Sequence, residues 1–144
     1  MEKILAKHRA FNFQEFQYLL KLAKEASQKI KDKHVILLLG STGCGKSTTV
    51  HYLCGSLLRE KKLGDLPHIE ACKILNEDLY KVRTSPFAKS ETRWITPIKI
   101  NLSHLGSDKE TNVILVDTPG SGDTESYEVD ISNGLGILEA VRLT

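Results

Sequence analysis

The chain has 144 residues, 40% hydrophobic and 26% charged, with a net charge of +2. Such a chain is long enough for one domain with a real core; its balance excludes a disordered or fibrous protein and gives no overall charge with which to hold nucleic acid. Three cysteines, the lack of a secretion signal and the lack of any apolar run of about eighteen residues predict a reduced, cytoplasmic, soluble protein.

The charge is uneven. Residues 1–33 hold eight Lys/Arg against four Asp/Glu, a balance of +4, whereas residues 34–144 hold twelve against fourteen, a balance of −2. We divide the chain there, into a basic leader and a domain over 34–144. A solvated helix face is the reading preferred for the leader, over contact with a membrane or an acidic partner. Within it, residues 11–33 read as an amphipathic helix: Phe16, Leu19, Leu20, Ala23 and Ile30 recur near helical spacing, with Lys21, Lys24, Glu25 and Lys29 between them. It is expected to pack on the domain that follows.

Residues 35–39, "VILLL", form a continuous apolar run ended by Gly40, the pattern of a parallel strand buried on both faces. The run leads into Gly40-Ser41-Thr42-Gly43-Cys44-Gly45-Lys46-Ser47, which matches G-x-x-x-x-G-K-[ST] at every fixed position. Glycines let the backbone wrap close to phosphate oxygens with N–H groups turned inward, and a following helix adds its positive end. Lys46 is suited to the β- and γ-phosphates, the Ser47 hydroxyl to Mg²⁺, and Thr48 to the α-phosphate. Residues 47–58 read as the helix after this loop.

Residues 59–87 are polar and mixed, with Gly64 and Pro67 as breakers and a helical spacing over 69–80. His51-x-x-Cys54 and His68-x-x-x-Cys72 have the spacing of metal-ligand pairs. Structural zinc sites favour tight loops, however, and His51 and Cys54 fall on the predicted helix, so core packing is preferred for them. Residues 93–102, "RWITPIKINL", read as a strand whose Pro97 suits an edge or an irregular start. After the turn "SHLGSDKE", the run "NVILVDTPG" repeats the first strand's pattern. The tail from residue 127 predicts a helix using Ile131, Leu135, Leu138 and Val141, weakened by Gly134 and Gly136.

Asp117-Thr118-Pro119-Gly120 ends the second apolar run, at the edge where ligands bind in open α/β sheets. The loop "GSTGCGKSTT" resembles that of ABC-transporter ATPases almost as well as that of a GTPase. No acid directly follows Asp117, though, and the chain has no "LSGGQ". "DTPG" resembles the D-x-x-G element of the translation-factor-related GTPases, and "ILVDTPGSGDTESYEVD" resembles the septin, immunity-associated and plastid-import-receptor branch, with Ser121 where an aromatic is common.

The resemblance covers residues 34–130 and implies a P-loop NTPase fold, a Rossmann-like three-layer α/β sandwich, with GTP (or ATP) and Mg²⁺ bound. It implies that Asp117 holds Mg²⁺ through a water, that the Gly120 N–H meets the γ-phosphate, and that residues 84–96 and 118–130 are switches. A switch threonine completes the Mg²⁺ shell; Thr92 is preferred to Thr96, because a residue within a strand could not swing. Ser121 stands where a Ras-like enzyme carries its water-positioning glutamine, so hydrolysis is expected to be slow, completed by a partner, or absent.

Guanine is read in this class by [NT]-K-x-D, and no such motif occurs in the sequence. Base preference therefore rests on resemblance, and we expect the sequence to be the N-terminal part of a G domain, incomplete as given. The function implied is a nucleotide-controlled switch acting on a protein effector or a second copy of itself, with no nucleic acid partner. The alternatives are a P-loop ATPase and a non-hydrolysing oligomerisation module.

Overall fold

The computed structural model describes residues 10–85, 94–108, 110–121 and 126–144. The leader forms α1 (Phe13–Gln28), started by Asn12, whose side chain accepts the Glu15 N–H at 3.1 Å. Its buried face is Leu19, Ala23, Ala26 and Ser27. The Ser27 hydroxyl is satisfied within the helix by the Ala23 carbonyl, at 2.9 Å.

Strand β1 (Val35–Leu38) leads into α2 (Lys46–Leu53). This helix stops short of the predicted end because Gly55, at φ 78°, turns the chain left-handed. The Ser56 N–H then bonds back to the His51 carbonyl at 2.9 Å and the Gly55 N–H to Tyr52 at 3.1 Å, which closes the helix as a Schellman motif. The chain continues into a hairpin of β2 (Leu57–Leu63) and β3 (Leu66–Lys73). The expected helical stretch over 69–80 is thus overturned: its first half is β3, and only a 3-10 turn, Glu77–Lys81, follows. Gly64, at φ 63°, opens the two-residue turn and accounts for the pairing.

Strands β4 (Thr96–Asn101) and β5 (Asn112–Asp117) complete a three-stranded mixed sheet in the order β1-β5-β4. β5 runs parallel to β1, with Leu38 opposite Asp117, and antiparallel to β4, with Thr96 opposite Asp117. Pro97 lies on the outer strand, where a missing N–H is tolerated. β5 is buried from Val113 onward, but Ile36 of β1 is 42% exposed. The expectation that β1 is buried on both faces fails because β1 is an outer strand of the described sheet.

Alternation along the strands divides the core in two. Ile98, Ile100, Val113 and Leu115 pack with Val50 of α2 and with Leu79 and Val82. On the opposite face, Ile114 and Val116 pack with Ala26, Ile30, Ile95 and Ala140. The last of these belongs to α3 (Tyr127–Leu143), so α1 and α3 cover one face and α2 the other. The fold is a small mixed α/β arrangement.

The tail helix forms as expected, but on the other side. Val129, Ser132, Asn133, Gly136 and Ala140 are buried, whereas Ile131, Leu135, Leu138 and Val141 are 41–52% exposed. The reason is closeness. A Cβ built on Gly136 would lie 3.0 Å from the Ala23 Cβ, so α1 and α3 meet through small residues that larger ones would push apart. The two helices run parallel: Asn12 bonds Glu128 at their starts and the Asp32 N–H reaches the Leu143 carbonyl at their ends, at 3.2 Å. Among the described residues, no helix is long and apolar enough to cross a membrane.

Candidate functional site

β1 and β5 end side by side, and the chain leaving each one builds the site. After β1, residues 40–45 form a loop whose Gly43 and Gly45 adopt φ values of 81° and 87°, a left-handed backbone open to glycine at little cost. Gly45 is also the N-cap of α2, with no side chain to cap the helix. The first N–H groups of α2 therefore point out of its positive end without a side-chain acceptor from that position.

Lys46 folds back over this loop. Its Nζ donates to the Gly40 and Ser41 carbonyls, both at 3.0 Å, and lies 3.8 Å from the Cys44 Sγ. The Ser47 hydroxyl, one residue into α2, donates to Asp117 Oδ2 at 2.7 Å. Asp117 is fully buried at the end of β5. Next to it, the Thr118 hydroxyl donates to the Leu38 carbonyl and braces the two strand ends together. The structure thus brings Lys46, Ser47 and Asp117, three residues singled out from the sequence, into one corner. Ser41, Thr42, Cys44 and Thr48 share the same loop and first helical turn.

Gly120 lies on top of the loop. A Cβ there would fall 2.3 Å from Thr42 Oγ1, 2.5 Å from its Cα and 2.6 Å from its nitrogen, so only glycine fits. The next residue ties the two segments together: the Ser121 N–H donates to the Gly40 carbonyl at 3.3 Å, and the Thr42 N–H donates to the Ser121 carbonyl at 3.2 Å. No motif marks this backbone bridge, which uses main-chain groups only.

Compared with family models, with curated proteins and with solved structures, the chain matches none. The corner offers a flexible cation, a positive helix end, a hydroxyl and a carboxylate, which together suit an anion accompanied by a hard divalent cation. Among the described residues, no group of three or more His, Cys, Asp or Glu side chains is placed to hold a metal ion. A cation here would take one hydroxyl and one carboxylate from the protein, the number Mg²⁺ uses when a phosphate and waters complete its shell.

Thr92, preferred from the sequence as the switch threonine, lies outside the described residues, as do the rest of 86–93 and 122–125 of the two expected switches. Thr96, its alternative, is the first residue of β4, 8% exposed, with its hydroxyl donating to the Trp94 carbonyl at 3.4 Å. His51, from the possible zinc spacing, is a buried structural residue: its Nδ1 meets Ser56 Oγ at 3.2 Å and its Nε2 the Val82 carbonyl at 2.9 Å. Its neighbour Cys54 is half-buried, and burial pushes that thiol up to about 11.

One further buried carboxylate stands at the start of α3. Glu128, 1% exposed in the first turn of α3, accepts the Asn12 backbone N–H. Nothing local marks it, because its partner lies 116 positions away.

Proposed function

We propose that this chain is a guanine-nucleotide-binding protein in which residues 40–48 hold the phosphates and Ser47 and Asp117 hold Mg²⁺. One observation carries the reading: the Ser47 hydroxyl on the Asp117 carboxylate at 2.7 Å, at the ends of two parallel strands, beneath a lysine curled over a glycine loop. A hydroxyl and a carboxylate in contact are two hard donors ready to share one cation. Lys46 exchanges its bonds to the Gly40 and Ser41 carbonyls for bonds to phosphate oxygens. Loop amides and the start of α2 supply the remaining positive field.

The P-loop NTPase fold is supported by the placement of helices on both faces of a sheet with β1 and β5 parallel and adjacent. Guanine in preference to adenine rests on the likeness of "DTPG" to the corresponding GTPase element, and on Thr118 following Asp117 where the ATPases carry Glu. Turnover is slow in this reading, because Ser121 offers the loop its backbone and no amide side chain for orienting water. The output is a nucleotide-controlled switch acting on a protein partner or a second copy of the chain.

The test is binding of a fluorescent GTP analogue in the presence and absence of Mg²⁺, with excess ATP as competitor. Lys46→Ala is expected to lower affinity at least about a hundredfold, in line with loss of a desolvated charge-assisted contact, without altering thermal stability. Unchanged affinity in Lys46→Ala would sink the assignment of the loop, and displacement by ATP as readily as by GTP would move the protein to the ATPase class. Nucleotide is also expected to shield the exposed Cys44 from alkylation while leaving the exposed Cys72 reactive.

A further inference from the structure

α1 is bolted to the first turn of α3 by an unusual bond. Asn12 caps α1 by accepting the Glu15 N–H, which is half of a capping box. The returning bond, to the N–H of the cap residue itself, normally comes from an acid three residues along the same helix. Glu15 stands at that place in α1, and the Asn12 N–H donates across to Glu128 of α3, on the neighbouring helix. A carboxylate 1% exposed is costly to bury, and this one is offset by lying at the starts of two parallel helices, where both positive ends favour an anion. The contact thus stabilises both helix starts at once and depends on their relative position.

α3 itself begins close in the chain to the segment that rests on the loop. Ser121 is bridged to Gly40 and Thr42, and five positions later Ser126 caps α3 by accepting the Val129 N–H at 3.3 Å. The Thr42 N–H, one of the loop donors that a terminal phosphate would use, is spent on the Ser121 carbonyl. The Cα of Gly120 is pressed on Thr42. A triphosphate entering the loop competes directly with residues 120 and 121, whereas a diphosphate can be held further along, by Lys46 and the start of α2.

We infer that α1 is the responsive element of this site: the terminal phosphate lifts residues 120–121 from the loop, shifts the start of α3, and breaks the Glu128–Asn12 bond that docks α1. The inference rests on the nucleotide reading above and adds to it which part of the molecule answers. Coupling is reciprocal, so a docked α1 must also oppose triphosphate binding. Weakening the dock then raises affinity for the triphosphate at a residue that touches no nucleotide.

Trp94, the single tryptophan, makes the test direct. It lines a groove of about 370 Å³ with Leu22, Glu25 and Ala26 of α1. Intrinsic fluorescence and amide exchange over residues 15–28 are measured on the full chain with Mg²⁺ and either GDP or a non-hydrolysable GTP analogue. The analogue is expected to change the fluorescence and speed exchange in α1, and GDP to do neither. Glu128→Ala is expected to raise affinity for the analogue about fivefold, within the usual range of coupling, with GDP affinity unchanged; Glu128→Gln falls between. Equal exchange of α1 with both nucleotides bound to the wild-type chain would overturn the inference and leave the nucleotide reading standing, as would an unchanged ratio of affinities in Glu128→Ala. Failure of both nucleotides to bind would remove the two together.

Discussion

The loop corner and the α1–α3 pair are both close contacts between distant parts of the chain, yet different physics holds each together. At the corner, directional bonds dominate: Lys46 to two carbonyls, Ser47 to Asp117, Thr118 to Leu38. Each needs a particular side-chain chemistry at a particular place. Between the helices, closeness dominates: Ala23, Gly136 and Ala140 are buried because they are small, and more hydrophobic residues of the same helix are left outside. A site made of directional bonds tolerates few identities, whereas a packed pair tolerates any residue of the right volume.

Two substitutions probe that contrast, one in each region. Gly120→Ala puts a methyl against the Thr42 backbone, where no flexible group can yield, and the backbone angle of Gly120 does not itself require glycine. We expect a loss of about 3 kcal/mol, the upper end for overpacking, read as a lower urea midpoint with unchanged m-value. Gly136→Leu forces α1 from α3 and is expected to cost about 2 kcal/mol. Leu138→Gln, on the exposed side of the same helix, is expected to change stability by less than about 0.5 kcal/mol. A larger effect at Leu138 than at Gly136 would mean that α3 docks through its apolar stripe and that the packing described here is wrong.

What could be read from the sequence follows the same division. The loop, the strand before it and the place of Asp117 at the end of β5 were legible because glycines at fixed spacing and an apolar run ending in an acid are local patterns. The orientation of α3 was not, since periodicity ranks faces by hydropathy and says nothing of how near a neighbouring helix comes. Glu128 was invisible for a related reason: its value lies in the start of a second helix, not in its own neighbours. The β2–β3 hairpin is a different kind of miss. Gly64-Asp65 between Leu63 and Leu66 is a recognisable two-residue hairpin turn, but the charged run Arg59–Lys62 masks the alternation, and Gly64 and Pro67 read as breakers. Pro67 is tolerated because it pairs with Lys62 in a ribbon of only two strands, where each strand has a free side.

That hairpin gives the smallest effect and the sharpest contrast with the buried Glu128. Glu70 on β3 accepts two bonds from Arg59 on β2, at 2.8 and 2.5 Å, and lies 3.3 Å from Lys61. The Arg59 bond, aided by Lys61, holds the Glu70 carboxyl below its ordinary range. A carboxyl lowered on folding adds stability above its unfolded value, about 4.3 for glutamate, and loses it as pH falls through the lower folded value. The pair is exposed to solvent and screened, so the effect belongs to the hairpin and not to the whole fold. Amide exchange in residues 57–73 is expected to quicken slightly as the pH falls through that window, after correction for intrinsic rates, and Glu70→Gln is expected to remove the dependence. Retention of the full dependence in Glu70→Gln would show that the Arg59–Glu70 pair does not set the pH response of the hairpin.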